Sequence, residues 1–151
     1  MTIEVLDKSD KSKLARIFQI QMLAYQIEAG ILEVETLPPL QESIGGFISS
    51  KVDILIYLVD DSPLGAIFLE REKDSIAINK LVVDPKQFRK GIGRELVTHA
   101  IGRYLGLKFK VSTGKKNSPA INLYNSLGFK IVNEQVVEDS LILVQLERTS
   151  I

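Results

Sequence analysis

The segment Gln87-Phe88-Arg89-Lys90-Gly91-Ile92-Gly93-Arg94 places two glycines and three cations between a strand-like run and a helical run. Glycine lets backbone approach a ligand without a Cβ in the way. The first turn of the helix that follows has N–H donors without intrahelical partners, and its dipole favours negative charge. Arg89, Lys90 and Arg94 add positive charge beside those donors. The chemistry on offer is pyrophosphate binding. A tight turn with solvated charges would use the same residue types. A dinucleotide fingerprint would need a third Gly or Ala where Leu96 stands, and a P-loop would need Gly-Lys-Ser/Thr.

A second group lies downstream. Asn117, Ala120 and Tyr124 are spaced three and four apart, so on a helix they share one face. An amide, a small side chain and a phenol would then line one groove. Such a groove suits an amide-bearing chain such as pantetheine, with the phenol near its end. Read alone, the same residues also describe a capping asparagine and a core tyrosine with a polar tip.

The elements that must position these groups follow from periodicity. Thr2 to Leu6 reads as a strand. Asp10 to Ala29 reads as a helix carrying Ile17, Ile20, Ala24, Ile27 and Ile31 at helical spacing, with Gly30 as its end. Glu33 to Pro39 is an acidic loop, and a second helix is expected over Leu40 to Ser49. Val52–Val59, Leu64–Glu70 and Ile76–Val83 form an antiparallel meander with turns at Asp60–Pro63 and Glu72–Asp74. Within its third strand, Ile76 and Ile78 set one phase and Leu81 and Val83 continue it after a step of three. Either a β-bulge near Asn79-Lys80 restores the phase, or the strand end is buried on both faces. A helix with Leu96, Val97, Ala100, Ile101 and Tyr104 on its stripe ends at Gly106. A strand follows over Lys108 to Thr113. The next helix takes Ser118 as N-cap and Pro119 as its first residue, and Gly128 stops it. Phe129–Gln135 and Glu138–Leu146 are the last strands.

Composition narrows the function classes. The 151 residues suit a single domain over 1–151. Nineteen basic residues balance nineteen acidic ones, so no net field favours nucleic acid or a membrane surface. No cysteine is present, which excludes disulfides and a thiol nucleophile; with one histidine, a metal site is not expected either. The first ten residues do not read as a signal peptide, and no apolar run approaches the roughly 18 residues of a membrane span. These features read as a soluble protein of the cytoplasm.

The two segments together resemble the GNAT superfamily of acetyltransferases. In that family a Gln/Arg-x-x-Gly-x-Gly/Ala loop binds pyrophosphate, and a downstream Asn-x-x-Ala-x-x-x-Tyr-x-x-x-Gly-Phe segment borders the pantetheine. Here the second motif is complete from Asn117 to Phe129, while the first position of the loop is Phe88. That ring would pack against or cover the cofactor, and Gln87, one residue earlier and at a different backbone position, is the candidate to supply the missing amide. The resemblance spans the chain and is strongest from Ile78 to Phe129. It implies a single-domain α/β (α+β) fold, a mixed but mostly antiparallel central sheet with helices on both faces, and a homodimer is compatible with it.

It also implies the activity: acetyl transfer from acetyl-CoA to a primary amine by direct attack in a ternary complex. Arg89, Lys90, Gly91, Ile92, Gly93 and Arg94 would hold phosphate, and Asn117 and Ala120 the pantetheine. A backbone N–H near Leu81, Val82 or Val83 would face the thioester oxygen. Tyr124 would assist the leaving thiolate. With reference pKa values of about 10 for a phenol and about 8.5 for a thiol, hydrogen bonding would matter as much as full proton transfer. Many relatives carry a basic glutamate where this chain has Asn79. Glu70 on the neighbouring strand is the base candidate, with Glu33, Glu35 or a water as alternatives. His99 falls on a polar helix face with Glu95 and Arg103 and reads as surface. The acidic loop hints at a cationic acceptor such as a polyamine, an aminoglycoside or a protein N-terminus. A non-catalytic acyl-CoA sensor is the competing reading, and a dinucleotide oxidoreductase lacks its fingerprint.

Overall fold

A computed structural model describes residues 1–46, 48, 51–138 and 141–149. Among these residues seven strands form one sheet: β1 (Thr2–Val5), β2 (Val52–Val59), β3 (Ser62–Arg71), β4 (Ser75–Val83), β5 (Lys108–Gly114), β6 (Lys130–Glu138) and β7 (Leu141–Arg148). Their order is β1-β2-β3-β4-β5-β7-β6. β4 and β5 run parallel, and the other neighbours are antiparallel. The meander β2-β3-β4 is as expected from its turns. Asp60 and Asp61 both have positive φ, as a two-residue hairpin turn of this hand requires.

Among the described residues three α-helices cover the sheet: α1 (Lys11–Leu32), α2 (Ile92–Arg103) and α3 (Ser118–Ser126). Strand alternation sends side chains to two cores. Ile54, Ile56, Ala66, Phe68 and Val82 pack with Leu14, Ile17 and Ile20 of α1. Leu55, Ile67, Leu69, Ile76 and Ile78 pack with Leu96, Val97 and Ala100 of α2 and Tyr124 of α3. The expected mixed sheet with helices on both faces is therefore the observed fold.

The phase problem in β4 resolves as a bulge. Phe68 pairs with Lys80 and Leu69 with Ile78, so Asn79 is the extra residue. It restores the alternation: Ile76, Ile78, Leu81 and Val83 all face the α2 core, while Val82 faces α1.

Several local expectations are corrected. Gly30 does not end α1; the helix runs to Leu32, and Glu33 adopts the left-handed cap conformation. Ile27 and Ile31 are exposed, so the buried stripe is another one. Leu14, Ile17, Gln21 and Leu32 are buried, and Tyr25 and Glu28 lie half-buried between them on the same face. A stripe counted from isoleucines alone follows the wrong side of the later turns. No helix forms over residues 40–46; a short 3₁₀ turn, Pro38–Gln41, stands there, and Phe47, Ser49 and Ser50 lie outside the described residues. Gly45 and Gly46 supply too little helix propensity to extend it. α3 starts one residue early, with Asn117 as N-cap accepting the Ala120 N–H and Ser118 already helical. Glu138 ends β6 rather than opening β7.

Candidate active site

β4 and β5 pair only from Ser75/Lys108 to Ile78/Val111. Beyond that point, after the bulge at Asn79, the β5-facing edge of β4 has no ladder partner among the described residues. Leu81, Val82 and Val83 lie on this free stretch. A cavity of about 80 Å³ opens where the strands part. Its walls include Asn79, Leu81, Ser112, Thr113, Ala120 and Tyr124, together with Tyr25 and Glu28 of α1. α1 and α3 belong to opposite faces of the sheet, so the parting is what lets their side chains meet.

The glycine loop sits at the C-terminal end of β4. Asp84, 5% exposed, anchors its entry. The Asp84 N–H donates to the Leu64 carbonyl, and its carboxylate accepts from the Lys86 N–H at 3.0 Å and from Arg16 Nη2 at 2.6 Å. After the Pro85–Gln87 turn, Arg89 and Gly91 adopt positive φ (66° and 82°) and curl the chain into α2. For Gly91 this conformation is the reason for the residue type: L side chains rarely adopt it. The first backbone bond of α2 runs from the Glu95 N–H to the Gly91 carbonyl. The N–H groups of Ile92, Gly93 and Arg94 precede it and have no backbone acceptor among the described residues. At Gly93 a Cβ would make only ordinary contacts, 3.5 Å from Leu123 and 3.6 Å from Leu81, so packing against β4 and α3 does not by itself require glycine there.

The cations of the loop divide. Arg94 reaches across to Ser126 of α3 at 2.8 Å and so ties the two motifs together. Lys90 donates to the Gln87 side chain at 3.1 Å, which engages the amide that sequence offered as a substitute at Phe88. Phe88 is 42% exposed.

Asn117, Ala120 and Tyr124 share a face of α3 as spaced. Asn117 is buried, and its amide is fully used: Oδ1 caps α3, while Nδ2 donates to Glu28 Oε1 at 3.0 Å and lies 3.4 Å from Thr113 Oγ1. Tyr124 is 4% exposed, its ring 5.2 Å from that of Phe129. Its hydroxyl lines the cavity and has no hydrogen-bond partner among the described residues. Burial, and then the Glu28 carboxylate, push this phenol well above its ordinary value. Tyr25, half-buried beside it, is pushed up for the same reasons.

The carboxylates named from sequence stand outside this cavity. Glu70 accepts from Asn79 Nδ2 at 3.0 Å and so buttresses the bulge. Glu33 pairs with Lys116 at 2.8 Å on the surface, and that bond holds its carboxyl below the usual range. Glu35 is exposed, as is His99. The carboxylate within the cavity is Glu28, which sequence reading passed over. Its signal was present: Glu28 falls on the stripe Leu14-Ile17-Gln21-Tyr25-Glu28-Leu32, where an acid at a core position asks for a reason. Lys80 also touches the cavity, but its ammonium turns to the α1 face. There it meets Glu42 at 2.6 Å and Gln21 at 2.9 Å above the Phe68 ring. No group of His, Cys, Asp and Glu able to hold a metal occurs among the described residues. No helix there is long and apolar enough to cross a membrane.

Known proteins are similar to this chain in sequence and in fold. The family model described as an acetyltransferase (GNAT) domain matches residues 50–131. The chain is 31% identical over 142 residues to the UPF0157 protein YqkA of Bacillus subtilis, covering 93% of this chain but 41% of that protein. It is 29% identical over 100 residues to the peptidyl-lysine N-acetyltransferase YjaB of Salmonella typhimurium, covering 66% of this chain and 65% of that one. The chain thus spans less than two thirds of either relative. The PaiA N-acetyltransferase of Thermoplasma acidophilum, solved in complex with coenzyme A, superposes with a TM-score of 0.75 at 17% identity, over 99% of both chains. The family match takes in the bulged strand, the glycine loop and the Asn117–Phe129 segment, and on it the chain belongs to the GNAT acetyltransferase family.

Proposed function

We propose that this chain is an N-acetyltransferase that moves an acetyl group from acetyl-CoA to a primary amine of a small molecule or a protein, by direct attack in a ternary complex. The observation that carries the reading is the parting of β4 and β5, into which the Tyr124 hydroxyl opens without a protein partner. The glycine loop at the head of the same strand adds to it. The loop fits a pyrophosphate: Gly91 has the conformation, Ile92, Gly93 and Arg94 have free N–H groups, and Arg89 and Lys90 stand beside them. Bound there, acetyl-CoA would supply the acetyl group as a thioester.

The chain's own residues then divide the work. The free edge of β4 at Leu81–Val83 offers N–H donors where negative charge develops on oxygen. Ala120 leaves room for a slender chain along α3. Tyr124 holds its proton near the position of the leaving sulfur. Because burial strengthens its hold, Tyr124 acts chiefly by hydrogen-bond donation, with proton transfer completed as the thiolate separates. Glu70 keeps Asn79, and with it the bulge, in place.

Acetyl-CoA at about one hundred times its Kd stabilises the native state by about 2.7 kcal/mol, which raises the Tm by roughly 5–10 °C. Gly91→Asp abolishes that rise, since it sets a side chain and a negative charge in the cradle. Thiol release on mixing the parent protein with acetyl-CoA and a panel of amines identifies the acceptor. A Tm rise with NADH and none with acetyl-CoA overturns the reading. Acetyl-CoA binding with no amine acetylated favours a sensor instead.

A further inference from the structure

The described carboxylates that reach into the fold mostly have a cation. Asp84 has Arg16 and Glu42 has Lys80, each at 2.6 Å. Glu28 is half-buried in the cavity wall and forms no ion pair among the described residues. Its hydrogen-bond partner is a neutral amide, Asn117 Nδ2 on Oε1, which leaves Oε2 uncommitted. A carboxylate withdrawn from water without a counter-charge is costly and is retained where something charged completes it. The groups facing Glu28 are Tyr25 on its own helix, Tyr124 on α3, the uncharged Thr113 and Ser112 on β5, and on β4 Asn79 and the stem of Lys80. None supplies a positive charge, since the Lys80 ammonium is held by Glu42 and Gln21.

We propose that Glu28 is the acceptor-side catalytic carboxylate: it receives the ammonium of the substrate amine and takes its proton. The proposal rests on the transferase reading and deepens it. The step balances. R–NH3⁺ gives one proton to the Glu28 carboxylate, and the neutral amine attacks the thioester carbon. The C–N bond forms and the C–S bond breaks. The second nitrogen proton ends on sulfur, directly or through the Tyr124 hydroxyl. Burial raises the Glu28 pKa and the Asn117 bond partly offsets it, so the group is a stronger base than an exposed glutamate. Asn117 is then a positioning residue. It caps α3 and holds Glu28 beside the α3 motif that carries Tyr124.

The test uses three readouts. With the first amine acetylated by the parent protein, Glu28→Gln lowers kcat/KM at least a hundredfold and removes the acidic limb of its pH profile. Glu28→Asp recovers part of the rate, Glu70→Gln keeps the limb, and acetyl-CoA affinity is unchanged throughout. The second readout needs no turnover. The folded state holds the Glu28 proton more tightly than the unfolded chain. Stability from this group is therefore full at low pH and lost as pH rises through the carboxylate range. Glu28→Gln escapes that loss, so its Tm relative to the parent is higher at pH 7 than at pH 4. The third is the carbon-13 carboxyl signal of Glu28 in labelled protein, which shifts on adding spermidine or a tripeptide with a free N-terminus. A Glu28→Gln rate within threefold of the parent overturns the proposal, as does an acidic limb lost in Glu70→Gln instead. A carboxyl signal unmoved by either amine does the same. Loss of acetyl-CoA binding in the parent would strike the transferase reading, and the carboxyl titration separates the two failures.

Discussion

The two halves of α1 treat a carboxylate in opposite ways. Near its start, Arg16 meets Asp84 at 2.6 Å, and that charge is matched within the protein. Near its end, Glu28 meets only the amide of Asn117. The first arrangement locks the entry to the glycine loop against helix and sheet. The second leaves a charge to be completed from outside. The first corner is satisfied within the protein, and the second is where the proposed chemistry would sit, since proteins tend to leave local terms unsatisfied at functional sites.

The largest expected effect on stability breaks the first corner. Arg16→Met leaves the Asp84 carboxylate buried without its cation and costs about 3 kcal/mol, read as a lowered Cm in urea denaturation. Acetyl-CoA affinity should fall with it, because Asp84 also holds the Lys86 N–H at the loop entry. A variant as stable as the parent would show that the ion pair is idle. Next is Tyr124→Phe, on the cleft side. Turnover falls roughly tenfold to a thousandfold, about 1.4–4 kcal/mol, while acetyl-CoA affinity and Tm barely move. Equal turnover, with chemistry rate-limiting, would remove Tyr124 from the mechanism. The smallest effect is at Phe88, which belongs to neither corner. Phe88→Gln leaves acetyl-CoA affinity within about threefold, under 1 kcal/mol, if the loop works through its backbone. A hundredfold loss by calorimetry would show that the exposed ring itself binds.

The sequence alone determined what is local or periodic. Alternation and turn residues defined the meander, and the odd step from Ile78 to Leu81 required either a bulge or two-sided burial. Gly91 and the Asn117–Tyr124 spacing marked the loop and the α3 face, because each depends on a few adjacent residues. Tertiary structure decided the rest. Whether α1 stopped at Gly30 depended on Leu32 finding a buried place. Whether Arg94 faced solvent or Ser126 depended on where α3 docked. The site's carboxylate depended most on tertiary contact, since Glu28 and Asn117 are 89 positions apart. No pattern within a helix or strand reports such a contact. It exists because β4 and β5 stop pairing at the bulge, which lets a side chain from each face of the sheet reach the same opening.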